Sequence, residues 1–190
     1  ALRNFKKYTT FVDEVKELTA YLLSNIDIKT FPIGEGLPLA LEQYGRYTRE
    51  EIFTIFGRQT AEKRMQGSVS GVFNIEERNT ELLFVTLNKS NKDFSVSTMY
   101  DDYVVSERQF HWKSKNTDTH EGRGKRYVEQ AINKKKFLLF VRADKTDGFN
   151  NTCPFYCFGL VDYISSRDDK PMSIDWHMHH PILPQFIKAV

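Results

Sequence analysis

From about Gly67 onward, apolar and polar residues alternate with a period of two, and this pattern constrains the fold more than any other feature of the sequence. Such alternation is typical of β-strands, whose successive side chains point to opposite faces of a sheet. Seven segments have it: GVFNIEER (71–78), ELLFVTLNK (81–89), DDYVVSE (101–107), FHWKSK (110–115), KFLLFVRAD (136–144), PFYCFGLVDYIS (154–165) and MSIDWHMH (172–179). So many strands in one chain predict a large sheet.

The first sixty residues have a helical pattern instead. Phe11, Val15, Leu18 and Leu22 recur at the spacing of one helix face. The sequence TREE (48–51) is a capping box, in which the Thr and Glu side chains accept backbone N–H groups at a helix start. We therefore predict two helices here, separated by a loop rich in proline and glycine.

A third helix is predicted over residues 123–134, with Tyr127, Val128 and Ala131 facing the core, and a short C-terminal helix over residues 183–188. Helices that flank a run of strands indicate the α+β class. We expect a strongly twisted antiparallel or mixed β-sheet, curved into a half-barrel, with the helices on its outside.

The length of 190 residues suits one domain with a small appendage. We divide the chain into an N-terminal helical segment, residues 1–60, packed on a β-rich domain, residues 61–190. The chain begins with ALRNFKKY, without an initiating methionine, and we expect it to be a fragment of a longer protein.

Composition excludes several classes of protein. Cys153 and Cys157 are the only cysteines, which excludes a disulfide scaffold and indicates a reducing cytoplasm. No apolar run reaches the ~18 residues that span a membrane, and no signal peptide is visible. The nucleotide-binding patterns GxxxxGK[ST] and GxGxxG after a strand are also absent, and we expect no cofactor.

The segment from Phe94 to Gly124 combines three kinds of side chain at strand spacing. The flat faces belong to Tyr100, Tyr103, Phe110 and Trp112, and the hydrogen-bonding groups to Asp101, Asp102, Ser114 and Asn116. Together with the cations that follow, this combination is what a site for a nucleobase on a charged strand requires. The alternative is a β-rich core in which the aromatic side chains simply pack.

Positive charge is concentrated in residues 113–136. The cations are Lys113, Lys115, Arg123, Lys125, Arg126, Lys134, Lys135 and Lys136. Against three carboxylates these eight give a net charge of +5, whereas the whole chain carries +2, so the remainder is −3. This asymmetry points to a polyanion, nucleic acid above all, although a merely solvated face has the same composition. The glycine-rich start of the predicted helix, GRGKR (122–126), could seat a phosphate or be an ordinary loop.

Two patterns resemble catalytic or metal sites. The spacing of His111, Lys113 and Asp118 matches the HxKx4D motif of phospholipase-D nucleases, but that chemistry needs a second copy, which the sequence lacks. Cys153 and Cys157 could bind zinc together with His177, His179 and His180, but structural zinc usually uses CxxC-type knuckles, and we favour two core cysteines and a few surface histidines. We therefore assign no catalytic residue and no metal site.

The segments LNKSNKDFSVSTMYDDYVVSERQFHWKSK (87–115), GRGKRYV (122–128), FLLFVRADK (137–145), FGLVDYIS (158–165) and PMSIDWHMHHP (171–181) resemble the C-terminal domain of unknown function of certain bacterial helicases. The N-terminal part of those proteins is often a phospholipase-D-type nuclease. The sequence is most similar to the C-terminal domain of SauUSI-type, type IV, modification-dependent restriction enzymes.

This resemblance implies a division of labour within a longer chain. The nuclease cuts, the helicase-like motor uses ATP, and this domain recognises 5-methylcytosine or 5-hydroxymethylcytosine in double-stranded DNA. The implied fold is similar to the SET-and-RING-associated domain, which flips the modified base into a pocket. The fragment itself would be no enzyme. The alternatives are an accessory domain that binds duplex without regard to modification, or one that regulates the helicase by protein contact.

The site residues follow from chemistry, because a cytosine presents an amino donor that a carboxylate can accept. We predict that Trp112 and Tyr100 stack on the flipped base and that Asp102 reads its N4 amino group. The rest of the predicted pocket is Asp101, Tyr103, Phe110 and Ser114. The residues predicted to contact the DNA backbone are Lys113, Lys115, Asn116, Arg123, Lys125, Arg126, Lys134, Lys135 and Lys136.

Overall fold

The computed structural model describes residues 8–24, 28–60, 62–63, 71–89 and 102–187. The chain divides into two compact units, Ala1–Thr30 and Phe31–Val190. The first unit contains helix α1, Thr9–Ser24, as the helical spacing predicts. None of the residues of α1 is buried.

The second unit contains the sheet. Its strands are β1 (Phe31–Pro32), β2 (Glu42–Gln43), β3 (Arg46–Tyr47), β4 (Val72–Ile75), β5 (Thr80–Thr86), β6 (Tyr103–Ser106), β7 (Gln109–Lys113), β8 (Lys136–Arg142), β9 (Phe155–Arg167) and β10 (Ser173–Met178). Its helices are α2 (Arg49–Ile55), α3 (Lys125–Val128) and α4 (Gln130–Asn133), with short 3-10 helices at Glu76–Arg78 and Pro184–Phe186. The combination confirms the α+β class.

Among the described residues, the main sheet has eight strands in the order β4-β5-β8-β9-β10-β7-β6, with β3 paired to β9. Strands β5 and β8 are parallel and the other pairs are antiparallel, so the sheet is mixed. The described strands do not close into a barrel. The long strand β9 holds the sheet together, because its first half pairs with β8 and its second half with β10.

Gly159 allows β9 to bend where its register with β8 shifts. Its φ of +79° is one that side chains rarely adopt, and a Cβ there would lie 1.9 Å from the side-chain oxygen of Gln43. The buried Gln43 side chain also donates a hydrogen bond to the carbonyl of Phe158, 3.0 Å away. The bend therefore depends on a glycine at this position.

Helix α2 covers one face of the sheet. Thr48 and Glu51 form the predicted capping box, with the Glu51 backbone N–H 3.2 Å from the Thr48 hydroxyl and the Thr48 N–H 2.7 Å from the Glu51 carboxylate. The helix buries Ile52 and Phe53, and its C-cap residue Phe56 is buried as well. They belong to an apolar core that also contains Leu82, Phe84, Leu138, Phe140, Phe155 and Leu160.

The opposite face of the sheet contains an aromatic cluster, which we define as Trp112, Tyr127, Phe137 and Trp176. Trp112 lies edge-on to Tyr127 with ring centroids 5.4 Å apart, and Phe137 lies 5.0 Å from Trp176. All four side chains are buried. The segment from α3 to α4 supplies Tyr127 to this cluster.

The helix predicted over residues 123–134 forms only in part. Two short helices, α3 and α4, replace it, and Glu129 between them leaves helical geometry. Tyr127 points inward as predicted, but Val128 and Ala131 are exposed. Gln130 is buried instead and binds β9, donating to the Val161 carbonyl at 2.9 Å and accepting the Tyr163 N–H at 2.6 Å. A periodicity of apolar residues cannot reveal a buried glutamine.

The predicted C-terminal helix reduces to the 3-10 turn Pro184–Phe186 in the part of that segment that the structure describes. None of the described helices has the length and apolar character needed to cross a membrane.

Candidate nucleic-acid interface

Phe110 and Trp112, two aromatic residues of the predicted pocket, lie in the core. Strand β7 turns both toward the same face, where Phe110 is fully buried and Trp112 is 4% exposed. The Trp112 ring contacts Tyr127 and Trp176 of the aromatic cluster. Neither ring has a free face for a base in this arrangement, so their placement matches the packing interpretation of the sequence.

Asp102 is buried and both of its oxygens are engaged. One oxygen lies 2.5 Å from the Lys89 ammonium, and the other accepts the backbone N–H of Lys113 at 2.9 Å. Burial raises the pKa of Asp102, and Lys89 opposes that rise. The pair joins the chain just after β5 to the start of β6 and the end of β7, which makes Asp102 a structural anchor of this end of the sheet.

Tyr103 is the predicted pocket aromatic with an accessible ring in the part of the chain that the structure describes. Its side chain is 46% exposed. One face of the ring stacks on His111, with centroids 4.7 Å apart and an interplanar angle of 28°. A ring held on one side by an imidazole and open on the other is a platform on which a further planar group can stack.

His111 is fixed beneath Tyr103 by a carboxylate. Its Nδ1 lies 2.6 Å from Oδ1 of Asp175, and because a carboxylate only accepts, Nδ1 carries the proton. The His111 side chain is 2% exposed. The other carboxylate oxygen of Asp175 accepts from the Ser165 hydroxyl at 3.2 Å and lies 3.5 Å from the Arg167 guanidinium.

Strand register assembles this group of residues, which we call the polar ladder: Tyr103, His111, Asp175, Ser165 and Arg167. Tyr103 pairs with His111, His111 with Asp175, and Asp175 with Ser165, across strands β6, β7, β10 and β9. The ladder occupies the face of these strands opposite the aromatic cluster. It combines an open aromatic face with a carboxylate, a hydroxyl and a half-exposed guanidinium, which are the groups that read base edges and phosphates.

The remaining predicted pocket residues do not join the ladder. Ser114 is buried, and its hydroxyl accepts the Met172 N–H at 3.1 Å. Tyr100 and Asp101 lie outside the described residues.

The residues predicted to contact the DNA backbone divide into two groups. The first group, Arg126 and Lys135, neutralises a buried carboxylate. Glu81 on β5 is 1% exposed, and its carboxylate lies 2.8 Å from Nε of Arg126 and 3.6 Å from Nζ of Lys135. Burial raises the pKa of Glu81, and the two cations oppose that rise. Lys135 also donates to the Asn74 side chain at 2.9 Å. Arg126 and Lys135 therefore support the fold, and only part of their charge is available to a ligand.

The second group is more accessible. Arg123 and Lys125 are exposed and face the carboxylates of Asp118 and Glu129 at 3.5 and 3.4 Å, and Lys134 is exposed on the turn after α4. Lys113 and Lys115 are half-buried, Asn116 is exposed, and Lys136 donates to the Glu35 carbonyl. The exposed cations, defined as Arg123, Lys125 and Lys134, are the best-placed candidates for phosphate contacts. The glycine-rich segment before α3 leads into a helix of four residues, which is too short to support a phosphate site of its own.

The residues of the HxKx4D match do not assemble into a nuclease site. His111 binds Asp175, whereas Asp118 is buried beside Tyr127 and Arg123. Among the described residues, no three His, Cys, Asp or Glu side chains are grouped to hold a metal ion. Cys153 and Cys157 are free thiols, and burial raises the pKa of Cys157 to about 12.

The sequence reasoning missed Asp175, Ser165 and Arg167. A signal was present, because Asp175 stands between the core residues Ile174 and Trp176 and so had to face the other side of the sheet. Its pairing with His111 depends on the register of β7 against β10, which alternation within each strand does not give.

These observations define a mixed-sheet α+β domain with a polar ladder on one face of the sheet. Residues 41–189 match the family described as Domain of unknown function (DUF3427). The chain belongs to this family. No curated protein matches the sequence.

Proposed function

We propose that this chain is a DNA-binding module that recognises 5-methylcytosine or 5-hydroxymethylcytosine in double-stranded DNA by base flipping, without enzymatic activity of its own. It would serve as the specificity domain of a cytoplasmic, ATP-dependent, modification-dependent restriction endonuclease of the SauUSI type, with helicase and nuclease domains upstream in the same chain. The mixed sheet would then correspond to the half-barrel of the SET-and-RING-associated domain.

The observation that carries this proposal is the polar ladder. Tyr103 offers a flat face backed by His111. Farther along the same face of the sheet, Asp175 holds His111, the Ser165 hydroxyl and the half-exposed Arg167 guanidinium in a hydrogen-bonded row. Stacking recovers part of the few kcal/mol that flipping a base costs, and hydrogen bonds to its edge recover more. The resemblance to modified-cytosine readers supports the choice of base.

We predict that Tyr103→Ala weakens binding to a duplex with one 5-methylcytosine by about 5- to 150-fold, since a base–aromatic stack contributes roughly 1–3 kcal/mol. Binding to the unmodified duplex should fall less. Fluorescence anisotropy at fixed salt measures both affinities. Tyr103→Phe keeps the ring and should bind like the wild type, and Tyr8→Ala, at the exposed tyrosine directly before α1, is the matched control. Equal losses for Tyr103→Ala and Tyr8→Ala would exclude Tyr103 as the platform.

The exposed cations give a separate prediction. Replacing Arg123, Lys125 and Lys134 with glutamine should weaken binding to modified and unmodified DNA alike, because phosphate contacts carry no base information. Each lost contact should lower the slope of log affinity against log salt by about 1. Lys63→Gln, which removes one exposed charge elsewhere in the chain, is the control. An unchanged slope would place the DNA on another surface.

A further inference from the structure

A row of hydrogen bonds through His120 joins the loop after β7 to the end of β9. Nδ1 of His120 lies 2.9 Å from Oδ1 of Asp169, and its Nε2 lies 2.8 Å from the hydroxyl oxygen of Ser166. The backbone N–H of His120 donates to the same Asp169 oxygen at 2.8 Å. A serine, a histidine and a carboxylate connected in this order are the parts of a nucleophilic site.

The hydrogen bonds also fix where the protons of this row lie. Because a carboxylate only accepts, Nδ1 of the neutral His120 ring carries the proton and Nε2 is left as an acceptor. The Ser166 hydroxyl then donates to Nε2, and the Tyr163 hydroxyl, 2.7 Å away, donates to the Ser166 oxygen. Hydrogen bonds from the backbone and ring of His120 lower the pKa of Asp169, so its carboxylate is charged at neutral pH.

The row lies away from the polar ladder. Ser166 pairs with the buried Ile174, whereas its neighbour Ser165 pairs with Asp175 of the ladder, so the two serines point to opposite faces of the sheet. The His120 and Asp169 side chains are 37% and 50% exposed. A small molecule in solution can therefore reach this row without entering the core.

We propose that Ser166 is the nucleophile, and His120 the general base, of a site that hydrolyses small carboxylic esters. The Ser166 oxygen attacks the ester carbonyl carbon, and its proton passes to Nε2 of His120. The tetrahedral intermediate then breaks its bond to the alcohol oxygen, and the alcohol leaves with that proton. Water gives a proton to Nε2 and attacks the acyl group on Ser166, which releases the carboxylic acid and restores the serine hydroxyl.

Tyr163 and Asp169 would support this reaction in different ways. The carbonyl oxygen of an ester under attack lies next to the Ser166 oxygen, within reach of the Tyr163 hydroxyl, which then stabilises the negative charge of the intermediate. Asp169 does not touch the ester. It is a positioning residue, because it holds the His120 ring with Nε2 toward Ser166.

This inference goes beyond the proposed function and does not depend on it. The ester site would add a hydrolytic activity to a module whose recognition of DNA needs none. Ser166→Ala should therefore keep the wild-type affinity for the methylated duplex. Either proposal can fail while the other stands, because the duplex titration and the reactivity of Ser166 are separate measurements.

A fluorophosphonate probe tests the nucleophile directly, because an activated serine oxygen forms a bond to its phosphorus and releases fluoride. We expect the folded 190-residue chain to take up one phosphonyl group, mapped to Ser166 by mass spectrometry, and to take up none in denaturing urea. Ser166→Ala should abolish labelling, and His120→Ala should slow it about 100-fold. Ser106→Ala, at an exposed serine whose hydroxyl accepts the Arg108 N–H, is the control and should label like the wild type.

Release of nitrophenol from para-nitrophenyl acetate measures turnover. Asp169→Asn should lower kcat about tenfold or more and leave KM unchanged, since Asp169 positions His120 without touching the ester. A folded wild-type chain that the probe leaves unlabelled, or a Ser166→Ala variant labelled like the wild type, would overturn the proposal. Labelling of Ser166 with no more than one equivalent of nitrophenol released would overturn the hydrolytic step.

Discussion

Replacing Trp112 with alanine is expected to lower the free energy of unfolding by about 3–5 kcal/mol, the usual cost of deleting a large aromatic side chain from a core. Trp112 is 4% exposed and contacts Tyr127 and Trp176, so the deletion leaves a cavity inside the aromatic cluster. Urea unfolding followed by circular dichroism measures the change.

Val105→Ala on neighbouring strand β6 is the control, because Val105 is exposed and should change stability by less than about 0.5 kcal/mol. A Trp112→Ala variant as stable as the wild type would show that the ring is not part of the core. In that case the sequence-based prediction that Trp112 stacks on a flipped base would regain its support.

Asp102→Ala is expected to have an effect of similar size. It leaves the Lys89 ammonium buried without its carboxylate, and breaking a buried ion pair costs about 3–5 kcal/mol. It also removes the acceptor of the Lys113 N–H. Asp144→Ala, at an exposed carboxylate that accepts from Asn88, should cost far less.

The double variant Lys89→Met with Asp102→Leu tests the reason for this effect. Apolar residues of similar size remove both charges, so the double variant should be more stable than Asp102→Ala alone. Equal stability of the two variants would mean that the unpaired Lys89 ammonium does not cause the loss seen in Asp102→Ala. Binding assays on Asp102→Ala report on a base contact only where unfolding measurements show that the variant is folded.

The sequence predicted the strands well because one face of each is apolar. In FHWKSK (110–115), strand alternation puts Phe110 and Trp112 on one face and His111 on the other, and the structure has this arrangement. Alternation could not say which side faces a ligand. Both sides of β7 are covered, one by the aromatic cluster and the other by Tyr103. Alternation alone does not show whether His111 or Trp112 is covered by other side chains.

Charge was harder to interpret than hydrophobicity. The count of cations over residues 113–136 is correct, but two of them, Arg126 and Lys135, turn inward to Glu81. Glu81 stands on a strand about fifty residues earlier, and only the tertiary fold brings it beneath them. Asp102 is likewise paired with a residue of another segment, because its carboxylate binds the Lys89 ammonium, and the sequence pattern did not indicate this pair. Pairing between distant segments is the part of a site that local pattern does not encode.

The central claim is that the chain distinguishes modified from unmodified cytosine. The most direct measurement is an equilibrium titration of the 190-residue chain with two duplexes at the same salt concentration, identical except for one 5-methyl group. Burying one methyl group contributes about 0.8 kcal/mol, which corresponds to roughly a fourfold difference in Kd. We predict that the methylated duplex binds at least that much more tightly, and equal dissociation constants for the two duplexes would contradict the claim.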